Sequence, residues 1–105
     1  MIEVVKTYDF LPDIDKEAFA QYGRRAVGAI LKSPGAIEVR SWRGLLGSPQ
    51  ARLTILWETL ADWARFAESP DRRAVEDELL QFATNIHIEL FAPSPTMPEP
   101  VRRAK

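Results

Sequence analysis

The stretch WETLADWARF, residues 57–66, sets Trp57, Trp63 and Phe66 among charged residues. Aromatic walls suit an apolar ligand. The same spacing also suits the underside of a helix, which makes these residues core first and ligand contacts second. His87 is the single histidine and stands two positions from Glu89. On a strand both would share one face, as two ligands of a metal site, but the sequence offers no evident third, and no metal is expected. No serine has a histidine and acid arranged for a hydrolase triad. No glycine-rich phosphate loop is present. With no cysteine, the chain has no thiolate nucleophile, no disulfide and no thiolate-held metal.

The elements that must position these residues follow from length and pattern. A chain of 105 residues is one domain, here residues 1–92, followed by a proline-rich tail at 93–105 with a basic end. Net charge is −1, and the basic residues are spread along the chain, so nucleic acid is not an expected partner. The N-terminus lacks a signal-like apolar run and no stretch is long enough for a bilayer. The expectation is a cytoplasmic protein with no membrane partner.

IEVVKTYDF alternates and predicts a strand over 2–10. Asp13 or Asp15 can cap the helix that follows. Phe19, Tyr22, Ala26, Val27 and Ile30 mark one face of that helix, which runs to about Lys32 and is stopped by SPG. AIEVRSWR (36–43) and ARLTILWE (51–58) read as two strands of a hairpin around GLLGSPQ. Thr59, with Asp62 three residues on, resembles a capping box and opens a second helix. Ser69-Pro70 restarts it, and Val75, Leu79 and Phe82 continue the apolar stripe to about Ala83. NIHIELF (85–91) is the last strand. The order β-α-β-β-α-β predicts an α+β, ferredoxin-like sandwich: a four-stranded antiparallel sheet with helices on one face.

Strand alternation sorts the sheet into two faces. Ile2, Val4, Tyr8, Phe10, Ile37, Val39, Leu53, Ile55, Trp57, Ile86, Ile88 and Leu90 should meet the helices. Glu3, Val5, Thr7, Glu38, Arg40, Trp42, Arg52, Thr54, Leu56, His87, Glu89 and Phe91 form the other face. That face is too apolar for bare solvent and too charged for a dry core. It is expected to pack against a second copy, as a homodimer.

PGAIEV after a long first helix, followed by LTILWETLADWARFAESPDRRAVE, resembles the antibiotic biosynthesis monooxygenase family of dimeric α/β barrels. The resemblance covers about residues 1–92. It implies a homodimer joined through the sheets and a ligand cavity between helices and sheet. Tyr22, Trp57, Trp63 and Phe66 would line that cavity, with Lys6, Tyr8 and Ser41 as further polar groups on that side. Glu76 falls where the family often has a functional histidine. A buried carboxylate there, its pKa raised by desolvation, could accept a phenolic proton, with Tyr8 as a second catalytic candidate. The implied activity is cofactor-independent oxygenation of a small aromatic or polyketide-like molecule. The alternative is a non-catalytic small-molecule-binding or dimerisation module. The family's haem-degrading branch has an Asn, a Trp and a His at positions that fall near Thr7, Phe66 and Glu76; all three depart, so haem is not an expected cofactor.

Overall fold

The computed structural model describes residues 1–104. Its elements are β1 (Ile2–Phe10), α1 (Lys16–Lys32), β2 (Ala36–Arg43), β3 (Ala51–Trp57), α2 (Leu60–Ala67), α3 (Pro70–Leu79) and β4 (Ala83–Phe91). The strands form one sheet in the order β2-β3-β1-β4, and every neighbouring pair is antiparallel. This is the ferredoxin-like α+β architecture the element order predicts. Among the described residues no helix is long and apolar enough to cross a membrane.

The helix starts are set by side-chain oxygens that satisfy free amides. Asp15, not Asp13, caps α1, accepting from the Ala18 amide at 3.1 Å; Asp13 instead takes a positive φ in the preceding turn. The Thr59 oxygen accepts from the Asp62 amide at 3.1 Å, and its hydroxyl donates to the Asp62 carboxylate at 2.8 Å. Ser69 caps α3, accepting from the Arg72 amide at 3.2 Å, with Pro70 in the first turn where no amide is needed. Gly35 ends the turn after α1 at φ +91°, and a β-carbon there would overlap the Asp62 side chain.

Four sequence expectations are corrected. Ile37 does not face the helices: a bulge between Ala36 and Glu38 sets Ala36 opposite Trp57, Ala36 packs into the core, and Ile37 is exposed. Helix α3 stops at Leu79, short of Ala83. The Phe82 amide closes on the Leu79 carbonyl at 2.9 Å, so Phe82 enters the core from a turn. Strand β4 correspondingly starts at Ala83, and a register shift opposite Thr7–Asp9, with Asn85 at φ 56°, restores the predicted phase of the rest of β4. Leu90 has that phase but is exposed.

The core divides into two clusters. One gathers Tyr8, Tyr22, Leu79 and Phe82, with Phe10 and Phe19 against it. The other gathers Val4, Ile30, Ile55, Trp57 and Phe66, with Trp63 and Leu53 against it. On the opposite sheet face Val5 and Thr54 are buried by their strand neighbours, whereas Trp42 and Phe91 are about half exposed. The Arg40 guanidinium lies 5.4 Å from the centre of the Trp42 ring. Residues 92–104 are exposed and form no helix or strand.

At the far end of the sheet, Asp9 ties β1 to the β2–β3 loop and to β4. It accepts from the Ser48 hydroxyl at 2.7 Å, the Gln50 amide at 2.9 Å and the Asn85 side-chain amide at 3.1 Å. These bonds, Ser48 foremost and then Asn85, lower the Asp9 pKa from its ordinary value. A lowered carboxylate pKa stabilises the fold above the unfolded value, about 3.9, and that contribution is lost as pH falls from there through the folded value. Asp9→Ala should therefore lower stability to urea at neutral pH, and the gap to wild type should close in acid below the ordinary aspartate range. A gap that persists unchanged in acid would show that the carboxylate charge is not what matters.

Candidate functional site

Lys6 occupies the helix-facing phase of the central strand β1, between Val4 and Tyr8. Its strand neighbours are Leu53 on β3 and Ile88 on β4, neither of which can accept a hydrogen bond through its side chain. The residue is nonetheless 6% exposed. A buried ammonium needs an anion, and α3 supplies one: Nζ of Lys6 donates to Oε1 of Glu76. The same Oε1 lies 3.7 Å from Nε of Arg72, one helical turn earlier. The Lys6 side chain is 7% exposed and that of Glu76 is 25% exposed, so the pair is largely withdrawn from water.

Two cavities meet at Lys6. The larger, about 170 Å³, lies between α1, α3 and the sheet; Lys6, Tyr8, Tyr22, Gly23, Ser41 and Leu53 are among its lining residues. Phe19 closes one end, packing edge-on against Tyr8 and Phe82. The smaller is a slot of about 20 Å³ lined by Trp57, Trp63, Phe66, Arg72 and Glu76. Lys6, Ile30 and Val75 line both.

The two tyrosines differ in their hydrogen bonding. The Tyr22 hydroxyl donates to the Val75 carbonyl at 3.0 Å. Burial raises its pKa, with the negative charge of Glu76 adding to the effect. Burial also raises the pKa of Tyr8, whose hydroxyl has no hydrogen-bond partner among the described residues. Both are therefore protonated at neutral pH, and Tyr8 has a donor free for a ligand.

The structure thus brings together Tyr8 and Tyr22 at the larger cavity and gathers Trp57, Trp63, Phe66 and Glu76 around the slot behind it. Trp57 is fully buried and packs on Phe66 with ring centres 5.4 Å apart. Its indole N–H has no partner among the described residues. A space of this size admits about one water molecule, so these three aromatics form a packed floor. Lys6 was legible as a polar residue on this side, but its pairing with Glu76 was not. Arg72 carries no sequence signal beyond lying four residues before Glu76. Ser41 is exposed at the rim.

The haem-branch positions do not fit that group. Glu76 is held by two cations, Phe66 is packed on Trp57, and Thr7 is paired with His87 on strand β4. His87 is itself exposed and hydrogen-bonded to Asn85 at 3.0 Å. Among the described residues no group of three or more histidine or acidic side chains is placed to hold a metal ion.

The pair's contribution to stability can be measured. Removing one partner of a fully buried ion pair costs about 3–5 kcal/mol. With Glu76 still partly solvated, Lys6→Met should cost about 2 kcal/mol. Adding Glu76→Gln to that variant should recover most of the loss, because it removes the stranded charge. Urea titrations of the wild type and both variants test this; a double variant no more stable than Lys6→Met would contradict it.

No protein-family model and no curated protein matches the chain in sequence. Solved structures do match in shape. A cofactor-independent oxygenase, SnoaB from Streptomyces nogalater, superposes with TM-score 0.74 at 17% identity over 93% of this chain and 97% of its own. A hydroxynitrile lyase from Passiflora edulis superposes with TM-score 0.77 at 12% identity, covering 92% and 96%. A dimeric protein of unknown function with a ferredoxin-like fold from Bacteroides fragilis has TM-score 0.62 at 14% identity, covering 86% and 93%. The chain has the ferredoxin-like fold of these structures. At these identities the likeness is one of fold, and a fold carries more than one chemistry.

Proposed function

We propose that the chain is a cofactor-independent monooxygenase-like protein acting on a small aromatic or polyketide-like molecule bound between α1, α3 and the sheet. The observation that carries this reading is the meeting of Lys6 and the free Tyr8 hydroxyl at one mostly apolar cavity. The likeness in fold to a cofactor-independent oxygenase adds support.

In this reading a phenolic or enolic substrate in the larger cavity passes its proton by way of the Lys6 ammonium, which gives one of its own to Glu76 in the adjoining slot. Tyr8 donates a hydrogen bond to the resulting oxyanion, and Lys6 stabilises its charge. The electron-rich ring carbon then transfers electrons to dioxygen and a C–O bond forms. After protonation, the peroxide loses water and leaves a quinone. One phenol and one dioxygen become one quinone and one water, with dioxygen as the sole oxidant. The surrounding apolar residues keep competing water from the anion. Trp57, Trp63 and Phe66 line the slot together with Glu76.

One observation favours the second reading, a non-catalytic small-molecule-binding module: Glu76 is engaged by two cations and lines the slot, not the larger cavity. Oxygen uptake separates the two. With simple phenols and hydroquinones, the oxygenase reading expects uptake matched by quinone formation without added flavin or metal. Tyr8→Phe should lower kcat/KM by about 10- to 100-fold, at or below the usual loss of one oxyanion donor. Binding without uptake would leave the module.

We further propose that two copies pair through the helix-free sheet face. Half-exposed Trp42 and Phe91 support this, as does the likeness to a protein described as dimeric. Light scattering at micromolar concentration should report twice the chain mass. Trp42→Glu should shift the equilibrium toward monomer, because it places a charge where an aromatic would be buried. A wild-type monomer would sink the idea.

A further inference from the structure

We infer that the ligand of the larger cavity is a single-ring molecule carrying one ionised oxygen, and that Lys6, held in place by Glu76, is the residue that selects it. This rests on the reading of that cavity as a ligand site.

Size sets the first limit. A volume of about 170 Å³ is close to the roughly 150 Å³ apolar cavity that accepts benzene. It falls below the roughly 300 Å³ at which sites for drug-sized ligands begin. One ring with a few substituent atoms fills it, and fused three- or four-ring systems do not fit.

Charge sets the second. Lys6 and Arg72 share one carboxylate, Glu76, so this cluster carries one more positive than negative charge. Of the other acids on this part of α3, Glu78 is taken by Arg25 and Asp77 is exposed, and both Tyr8 and Tyr22 are held neutral by burial. The excess belongs to Arg72, which is partly solvated and borders the slot, and Lys6 brings the cluster to the wall of the larger cavity, where its net charge favours an anionic ligand over a neutral one.

Hydrogen bonding sets the third. An ammonium has three donors, and among the described residues that of Lys6 has one acceptor, Glu76. Tyr8 has a free hydroxyl, whereas the Tyr22 proton is committed to Val75. One anionic oxygen can receive both Lys6 and Tyr8 while its ring rests against Ala26, Val27, Ile30 and Leu53. Glu76 acts here as a positioning residue: it fixes where the ammonium sits.

The test uses para-nitrophenol, whose anion and neutral form differ in colour. On the wild-type protein the bound probe should be the phenolate at a pH where the free probe is mostly neutral. Its apparent pKa should fall by about one unit, a tenfold preference for the anion. Nitrobenzene, neutral and of similar shape, should bind at least about tenfold more weakly, on the same scale. Lys6→Met should abolish the colour shift. Because that variant strands Glu76, Lys6→Met with Glu76→Gln is measured beside it, and circular dichroism confirms that it is folded. Anthrol, with three fused rings, should not compete.

A probe bound as the neutral phenol, a shift that survives in the folded double variant, or anthrol binding as well as nitrophenol would overturn the inference. Benzoate displacing nitrophenolate in a Lys6-dependent way would support the anion site and identify its oxygen as a carboxylate. Phenolate binding without oxygen uptake would count against the oxygenase reading alone.

Discussion

A lysine in the core-facing phase of a central strand constrains everything built over it. Lys6 lies between two apolar strand neighbours, so its ammonium must find a partner in the helical layer. Glu76 is that partner. It can be so only because α3 begins at Ser69-Pro70 and turns Val75 and Leu79 into the core, which carries Glu76 to the edge of the same face. The Ser69 cap, the proline in the first turn and the ion pair all agree on one placement of α3. Such agreement between local signals and tertiary contacts is what gives a sequence a single fold.

The pair also explains why the core is divided. Apolar clusters form on either side of Lys6, one around Tyr8 and Tyr22 and one around Trp57 and Ile30. Between them the ion pair replaces apolar contact, and α1 presents Gly23 and Ala26 where larger residues would fill the gap. The cavity is the space left by those two facts. On the other side of the pair bulky aromatics pack closely, and only a water-sized slot remains. The unpartnered Trp57 indole N–H beside that slot is the kind of buried donor that one water satisfies.

The polar groups around the cavity divide their roles by hydrogen bonding more than by residue type. Tyr22 fixes α1 to α3 through the Val75 carbonyl and has no proton left to give. Tyr8, a neighbouring phenol in a similarly buried setting, has one. Glu76 has the residue type of a base but is engaged by two cations. Lys6, with donors left over, is the group best able to act on a ligand. Chemistry at this site therefore turns on which donors remain unspent.

Hydrophobic period and cap residues carried most of the architecture by themselves. Alternation in IEVVKTYDF and ARLTILW, the three- and four-residue steps from Phe19 to Ile30, and the caps at Thr59, Ser69 and one of Asp13 or Asp15 are local, so they can be read without the fold. The two-faced sheet was legible for the same reason, apart from Ile37 and the start of β4. There, bulges add a residue to one strand only, and a bulge depends on the partner strand's register. The candidate site was legible as a set of residues on one side of the sheet, including Tyr8, Tyr22, Trp57, Trp63, Phe66 and Glu76. Which of them border open space and which are packed floor was decided by tertiary structure alone. The volume between α1, α3 and β1 depends on how three elements distant in sequence approach one another. The Lys6–Glu76 pair spans 70 residues of chain, and no local pattern in either segment encodes a contact that exists only once the sheet and α3 are brought together.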